Sequence, residues 1–188
     1  MMPTNSATGQ RRVTYLDHAA TTPMCPQAVV AMTAQLTRLG NASSLHGSGR
    51  EARRVVEEAR ETIGAAVGAS PNEVIFTGGG TESNNLAMKG IYWARNKRGD
   101  RPRILSSSVE HHAVIDPLAW LQDREAAIVE LTPVDSLGRI DLDALDAGIA
   151  SDPGSVALVS VMWANNEVGT VQPIADVVEI AHRHDIPV

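Results

Sequence analysis

The chain has 188 residues, 43% of them hydrophobic, with 16 lysines and arginines against 22 aspartates and glutamates and a formal charge of -6. That length suits one globular unit with a sizeable core, and the acidic balance speaks against a nucleic-acid partner, whose phosphates call for a basic surface. No apolar run approaches the roughly 18 residues that span a bilayer, the leader MMPTNSATGQRR lacks a secretory apolar segment, and a single cysteine, Cys25, excludes an internal disulfide framework, so a cytoplasmic protein is expected.

Residues 1–14 read as a flexible polar tail that runs into VTYLD, a short apolar opening, and residues 26–39 as a helix stopped by Gly40. From Gly49 the apolar residues Ala52, Val55, Val56, Ala59, Ile63, Ala66 and Val67 recur at helical spacing, with arginines and glutamates on the other face. EVIFT is predicted to be a strand, and residues 81–96 a helix opened by Thr81 as N-cap. The alternation continues: RILSS as strand, 113–122 as helix, AAIVEL as strand, 141–149 as helix, VALVSVMW as buried strand and 173–184 as helix. This pattern predicts an α/β fold, a mostly parallel sheet with helices on both faces. The closing DIPV looks like the first residues of another strand, and a sheet cut there leaves backbone groups unpaired. The chain is therefore expected to be incomplete.

Three polar clusters follow three predicted strands. In open α/β sheets, ligands sit beyond the carboxyl ends of the strands, where a helix N-terminus offers free N–H groups to an anion. Gly78, Gly79 and Gly80 followed by Thr81 supply that geometry for a phosphate; a plain tight turn is the structural alternative. The GxxxxGK[ST] loop is ruled out by the missing lysine, and GxGxxG fails because Ser83 holds its last glycine position. In SSSVEHHAV, the neighbouring His111 and His112 point different ways, which makes them poor joint ligands for a metal. At most one serves a site, and both could be surface residues opening a helix. In MWANNEVGTVQP, Asn165 and Asn166 are either site amides or turn formers.

Taken in order, YLDHAATTP, NASSLHGSGREA, EVIFTGGGTESNNLAMKG, VEHHAV and VSVMWANNEVGTVQPI resemble the N-terminal half of a cysteine desulfurase, a member of the class V aminotransferase family of pyridoxal-phosphate enzymes. The resemblance implies that residues 15–188 form part of a fold-type I cofactor-binding large domain. It implies that Gly80 and Thr81 hold the phosphate of pyridoxal 5'-phosphate, that His111 stacks on the pyridine ring and serves in acid–base steps, and that Asn166 contacts the phenolic oxygen. Residues 41–52 match a segment bordering the active site, with Ala42 where many relatives have proline. No metal is implied. The activity implied is conversion of L-cysteine to L-alanine and an enzyme persulfide for iron-sulfur cluster assembly and thio-modification. Sulfur acceptors or iron-sulfur scaffold proteins would be its partners, and the complete enzyme would be a homodimer.

The chain also departs from the family. Neither Lys89 nor Lys97 matches the Schiff-base lysine, and Cys25 lies far upstream of the nucleophile motif, where a buried or incidental thiol is expected. By itself the chain is expected to be inactive. A selenocysteine lyase or another β-eliminating relative shares much of this half, and a non-catalytic binding or scaffold protein could retain the fold.

Overall fold

The computed structural model describes residues 14–188. The basic pair Arg11 and Arg12 and nearly all of the expected tail lie outside the described residues. The chain divides into two compact units, one reaching to Val74 and the other Ile75–Val188.

In the first unit, α1 spans Pro26–Leu36 and α2 spans Gly47–Val67. Pro26 suits the first turn of α1, where its missing N–H costs no helical bond. The helix ends three residues short of the expected boundary. Beyond it, Gly40 lies so close to α2 that a Cβ there would sit 2.6 Å from the Ser48 carbonyl oxygen, an approach the chain can make only by leaving the helix first. On the exposed face of α2, Arg54 pairs with Glu51 at 2.6 Å and also with Glu58, the i,i+3 and i,i+4 contacts that its sequence spacing dictates. Gly68, left-handed at φ 71, ends α2 and donates its N–H to the Gly64 carbonyl.

The expected strand over EVIFT does not form. Pro71–Glu73 is instead a single 3-10 turn, in which the Glu73 carboxylate accepts from the Ser70 N–H at 2.7 Å and the Ser70 hydroxyl at 2.9 Å. The residues after it have no ladder among the described residues, and Ile75 and Phe76 are exposed. A β-branched run is a strand only when a neighbour supplies the hydrogen bonds.

In the second unit, α3 (Gly80–Arg95) precedes β1 (Arg103–Ser107), α4 (His112–Glu125), β2 (Ile128–Thr132), α5 (Leu142–Ser151), β3 (Val156–Ser160) and α6 (Ile174–His182). The three strands form a sheet of order β2-β1-β3 with β1 parallel to both neighbours. All five residues of β1 are buried. Successive side chains alternate between faces: Ile104 joins Met88, Tyr92, Leu118 and Leu121 in a core under α3 and α4, while Leu105 joins Leu145, Ile149, Val177 and Ala181 under α5 and α6. The mostly parallel sheet with helices on both faces is thus present as the alternation predicts, though the strand expected over VALVSVMW ends at Ser160, with Trp163 exposed, and edge strand β2 leaves Ile128 and Leu131 exposed. Beyond the helices, the Val159 N–H donates to the Pro187 carbonyl at 2.9 Å, but the strand expected to begin at DIPV is not formed: Asp185 is left-handed at φ 55 and 186–188 join no ladder among the described residues.

At the amino end of the sheet, the buried Arg103 guanidinium meets Glu130 through Nη2 at 2.8 Å. It also donates to the carbonyls of Gly148 at 2.7 Å and Asp152 at 3.0 Å. A buried cation needs this full set of partners to offset its desolvation.

Candidate functional site

Because β1 and β3 are parallel neighbours, their carboxyl ends open on the same edge, and each feeds a loop carrying polar residues. The loop after β1 ends in His111, which sits at the N-cap of α4 with extended backbone. Its Nδ1 accepts the Ala113 N–H at 3.0 Å. That bond orients the ring and, in the neutral imidazole, leaves the proton on Nε2. His112 also borders the cavity beside His111, but its side chain is 86% exposed, with Nδ1 3.7 Å from an Asp116 carboxylate oxygen. The two rings lie 75° apart, as adjacent positions at a helix start require.

After β3, the two asparagines divide the work of the loop. Asn165 Nδ2 donates to the Val109 carbonyl at 3.1 Å, and its Oδ1 accepts the N–H groups of Glu167 and Val168 at 2.9 Å each. It builds the turn and ties it to the β1 loop. Asn166 is exposed, and among the described residues its amide hydrogen-bonds the Glu167 carboxylate at 3.0 Å. His111 and Asn166 line one cavity of about 410 Å³ together. A second cavity of about 270 Å³ shares Glu110 and His111 with the first and is walled on another side by Asn84 and Met88 of α3.

Glu110 stands with the two histidines after the strand, but the sequence assigns it no role. Only 7% exposed, it accepts at Oε1 from the Ser107 hydroxyl at 2.8 Å and the Met162 N–H at 2.7 Å, while its buried Oε2 has no partner among the described residues. Burial pushes its carboxyl pKa upward, against the opposing pull of the Met162 N–H and the Ser107 hydroxyl. An acidic residue placed directly between a buried strand and a helix-opening histidine was the available signal.

The glycine loop precedes α3. Here the N-cap is Gly79, not Thr81, which lies inside the first turn. The bare backbone at Gly79 enters the helix more readily than a side chain that would have to cap it. Thr81 keeps its hydroxyl free of any hydrogen bond among the described residues, and the N–H groups of this first turn have no intrahelical acceptor. Gly78 donates its N–H to the Glu82 carboxylate at 2.6 Å, and the Thr77 and Ser83 hydroxyls meet at 2.6 Å, which fixes the loop from both sides. A Cβ built on Gly79 or Gly80 would meet no atom within 4 Å. Free donors, a free hydroxyl and open space above the backbone fit a phosphate. Gly80 and Thr81 line neither cavity; Asn84, one turn further along α3, does.

Neither lysine lines the cavities beside His111. Lys89 Nζ lies 4.1 Å from the centre of the Trp120 ring, Lys97 is exposed beyond α3, and Cys25 is an exposed free thiol at the start of α1. In the first unit, Asn41 Oδ1 accepts the Ser43 N–H at 3.0 Å, which closes the loop that opens the 41–52 segment. Among the described residues no group of three histidine, cysteine, aspartate or glutamate side chains could hold a metal ion, and no helix is long and apolar enough to cross a membrane.

Residues 14–188 match the family described as Aminotransferase class-V. The IscS-like cysteine desulfurase of Mycobacterium tuberculosis (strain ATCC 25618 / H37Rv) is 56% identical over 174 residues, which are 92% of this chain and 44% of that relative. Among solved structures, a NifS-like protein superposes with a TM-score of 0.81 at 35% identity, over 90% of this chain and 45% of its own. SspA in complex with cysteine superposes with a TM-score of 0.82 at 34% identity, over 93% of this chain and 49% of its own. The chain spans about half the length of the relatives it matches.

Proposed function

The chain belongs to the class-V aminotransferase family, and from that premise we propose that the protein of which it is part is a cysteine desulfurase. The reaction is conversion of L-cysteine to L-alanine with transfer of the sulfur to an enzyme persulfide, for iron-sulfur cluster assembly and thio-modification. The family depends in general on pyridoxal phosphate. The observation that carries the reading is the shared cavity of His111 and Asn166 at the carboxyl edge of a parallel sheet, in a chain 56% identical to a relative named as a cysteine desulfurase.

In this reading the phosphate is held by the free N–H groups at Gly80 and Thr81 and by the Thr81 hydroxyl. A charged acceptor strengthens each such bond. When bound, the cofactor supplies the electron sink for the chemistry. His111 presents a ring whose orientation is fixed by the Ala113 N–H, and its Nε2 is the atom left to give or take a proton. Asn166 offers an amide donor to the phenolic oxygen, and Asn165 keeps that amide in place by closing the turn beneath it. Residues 15–188 would then be part of the cofactor-binding large domain. The partners would be sulfur acceptors or iron-sulfur scaffold proteins, and the working form a homodimer.

The test is to incubate the full-length protein with L-cysteine and measure alanine together with protein-bound persulfide. Equal amounts of the two support the reading. Alanine formed from selenocysteine but not from cysteine would assign a lyase of the same family, and no alanine from either would favour a binding protein on this fold.

A further inference from the structure

We propose that Glu110 is a positioning residue for the cofactor site, a strut that sets the spacing between the loop carrying His111 and the loop carrying Asn166. The inference rests on the cofactor reading above and extends it to a residue to which that reading gives no part. Glu110 stands directly before His111, and its Oε1 gathers donors from two elements: the Ser107 hydroxyl at the end of β1 and the Met162 N–H just past the end of β3. Asn165 makes the reciprocal tie, its amide reaching back to the Val109 carbonyl. The two loops are therefore cross-braced, each by a side chain adjacent in sequence to the residue that faces the cavity.

The brace is separate from what holds the sheet. The β1–β3 ladder pairs Arg103 with Val156 through to Ser106 with Ser160, and the Ser106 hydroxyl adds a bond to the Ser160 carbonyl at 2.9 Å. Removing the Glu110 carboxyl leaves all of these in place and frees only the loops beyond them. Glu110 also lines both cavities, and its second oxygen is buried without a partner among the described residues, an arrangement that stability alone does not explain. Because burial favours the neutral carboxyl, glutamine is its nearest replacement: the amide oxygen can accept both donors.

The experiment compares Glu110→Ala and Glu110→Gln with the unchanged full-length protein. Amide hydrogen exchange at Met162 reads the brace, and pyridoxal-phosphate affinity and induced circular dichroism read the site. In Glu110→Ala, Met162 exchange should quicken about tenfold, the scale of one buried hydrogen bond. Cofactor affinity should fall by about the same factor and the dichroic band should change, with the melting transition still cooperative. Glu110→Gln should restore all three. Ser107→Ala, which removes one of the two donors, should shift them partway and decides the matter if the alanine variant does not fold. A folded Glu110→Ala that binds cofactor with unchanged affinity and dichroism overturns the assignment, as does a glutamine variant no better than alanine. If the unchanged protein gives no dichroic band, the cofactor reading itself fails and takes this one with it.

Discussion

The Ala113 N–H donates to Nδ1 of His111 at 3.0 Å, so one imidazole both caps α4 and faces the cavity. These two duties can be separated by substitution. Asparagine is a strong N-cap residue without a ring. His111→Asn should therefore keep the stability of α4 to within about 1 kcal/mol while lowering cysteine turnover by about 100-fold or more and changing the absorption of bound cofactor. His112→Gln should leave turnover and spectrum nearly intact. Steady-state rates on folded, cofactor-loaded variants of the full-length protein check this; a larger loss at His112 would reverse the assignment.

Thr81 has an unengaged hydroxyl beside free helix N–H groups. If it holds the cofactor phosphate as proposed, that bond is worth roughly 1.5–3 kcal/mol, so Thr81→Ala in the full-length protein should weaken cofactor binding by about 10- to 150-fold without abolishing it, because the backbone donors remain. Thr81→Ser should bind almost as well as the native chain. Equilibrium titration with pyridoxal phosphate measures both, and an unchanged affinity in a folded Thr81→Ala would remove the residue from the site.

Lys89 is held over Trp120, and Lys97 lies beyond the end of α3. Neither is among the residues lining the His111 cavities. Borohydride treatment of the 188-residue chain in the presence of cofactor should therefore fix no stoichiometric pyridoxyl group. Peptide mapping provides the check, and full labelling at Lys89 or Lys97 would contradict the expectation.

In the first unit, two glycines of one helical turn should respond in opposite ways. A Cβ on Gly49 would lie 2.6 Å from the Ser44 carbonyl oxygen and 2.7 Å from that of Asn41, whereas one on Gly47 would meet nothing within 4 Å. Gly49→Ala should destabilise the unit by about 1–3 kcal/mol and expose the 41–46 loop to protease. Gly47→Ala should be neutral or slightly stabilising, since alanine favours the helix. Thermal melts and limited proteolysis of the pair decide it.

The sequence made the sheet and its helices legible where burial is complete. RILSS is a strand over its full predicted length because both faces are covered, and Asp141 caps α5 through a bond from the Ala144 N–H, at the position where its residue type suggests a helix start. EVIFT could not be read in the same way, since its composition states a preference and says nothing of whether a neighbouring strand is at hand. Thr81 was misplaced for a related reason: residue type marked it as a cap, but two preceding glycines let the helix begin earlier. In the candidate site, the sequence singled out His111 and Asn166, which the fold brings to one cavity. Glu110 and Asn165 act through bonds to Met162 and Val109, residues more than 50 positions away in the chain, and no local pattern announces such partners.

The buried guanidinium of Arg103 lies at the opposite end of β1 from Glu110, and its partners come from β2, α5 and the residues just after α5. A library of random substitutions across this unit should consequently divide by sheet edge. Changes around Arg103, Glu130 and Gly148 should appear as protein that never accumulates, whereas changes around Glu110, His111 and Asn166 should yield abundant protein with altered chemistry. One rim of the sheet is then open to change while the other continues to guarantee a folded product.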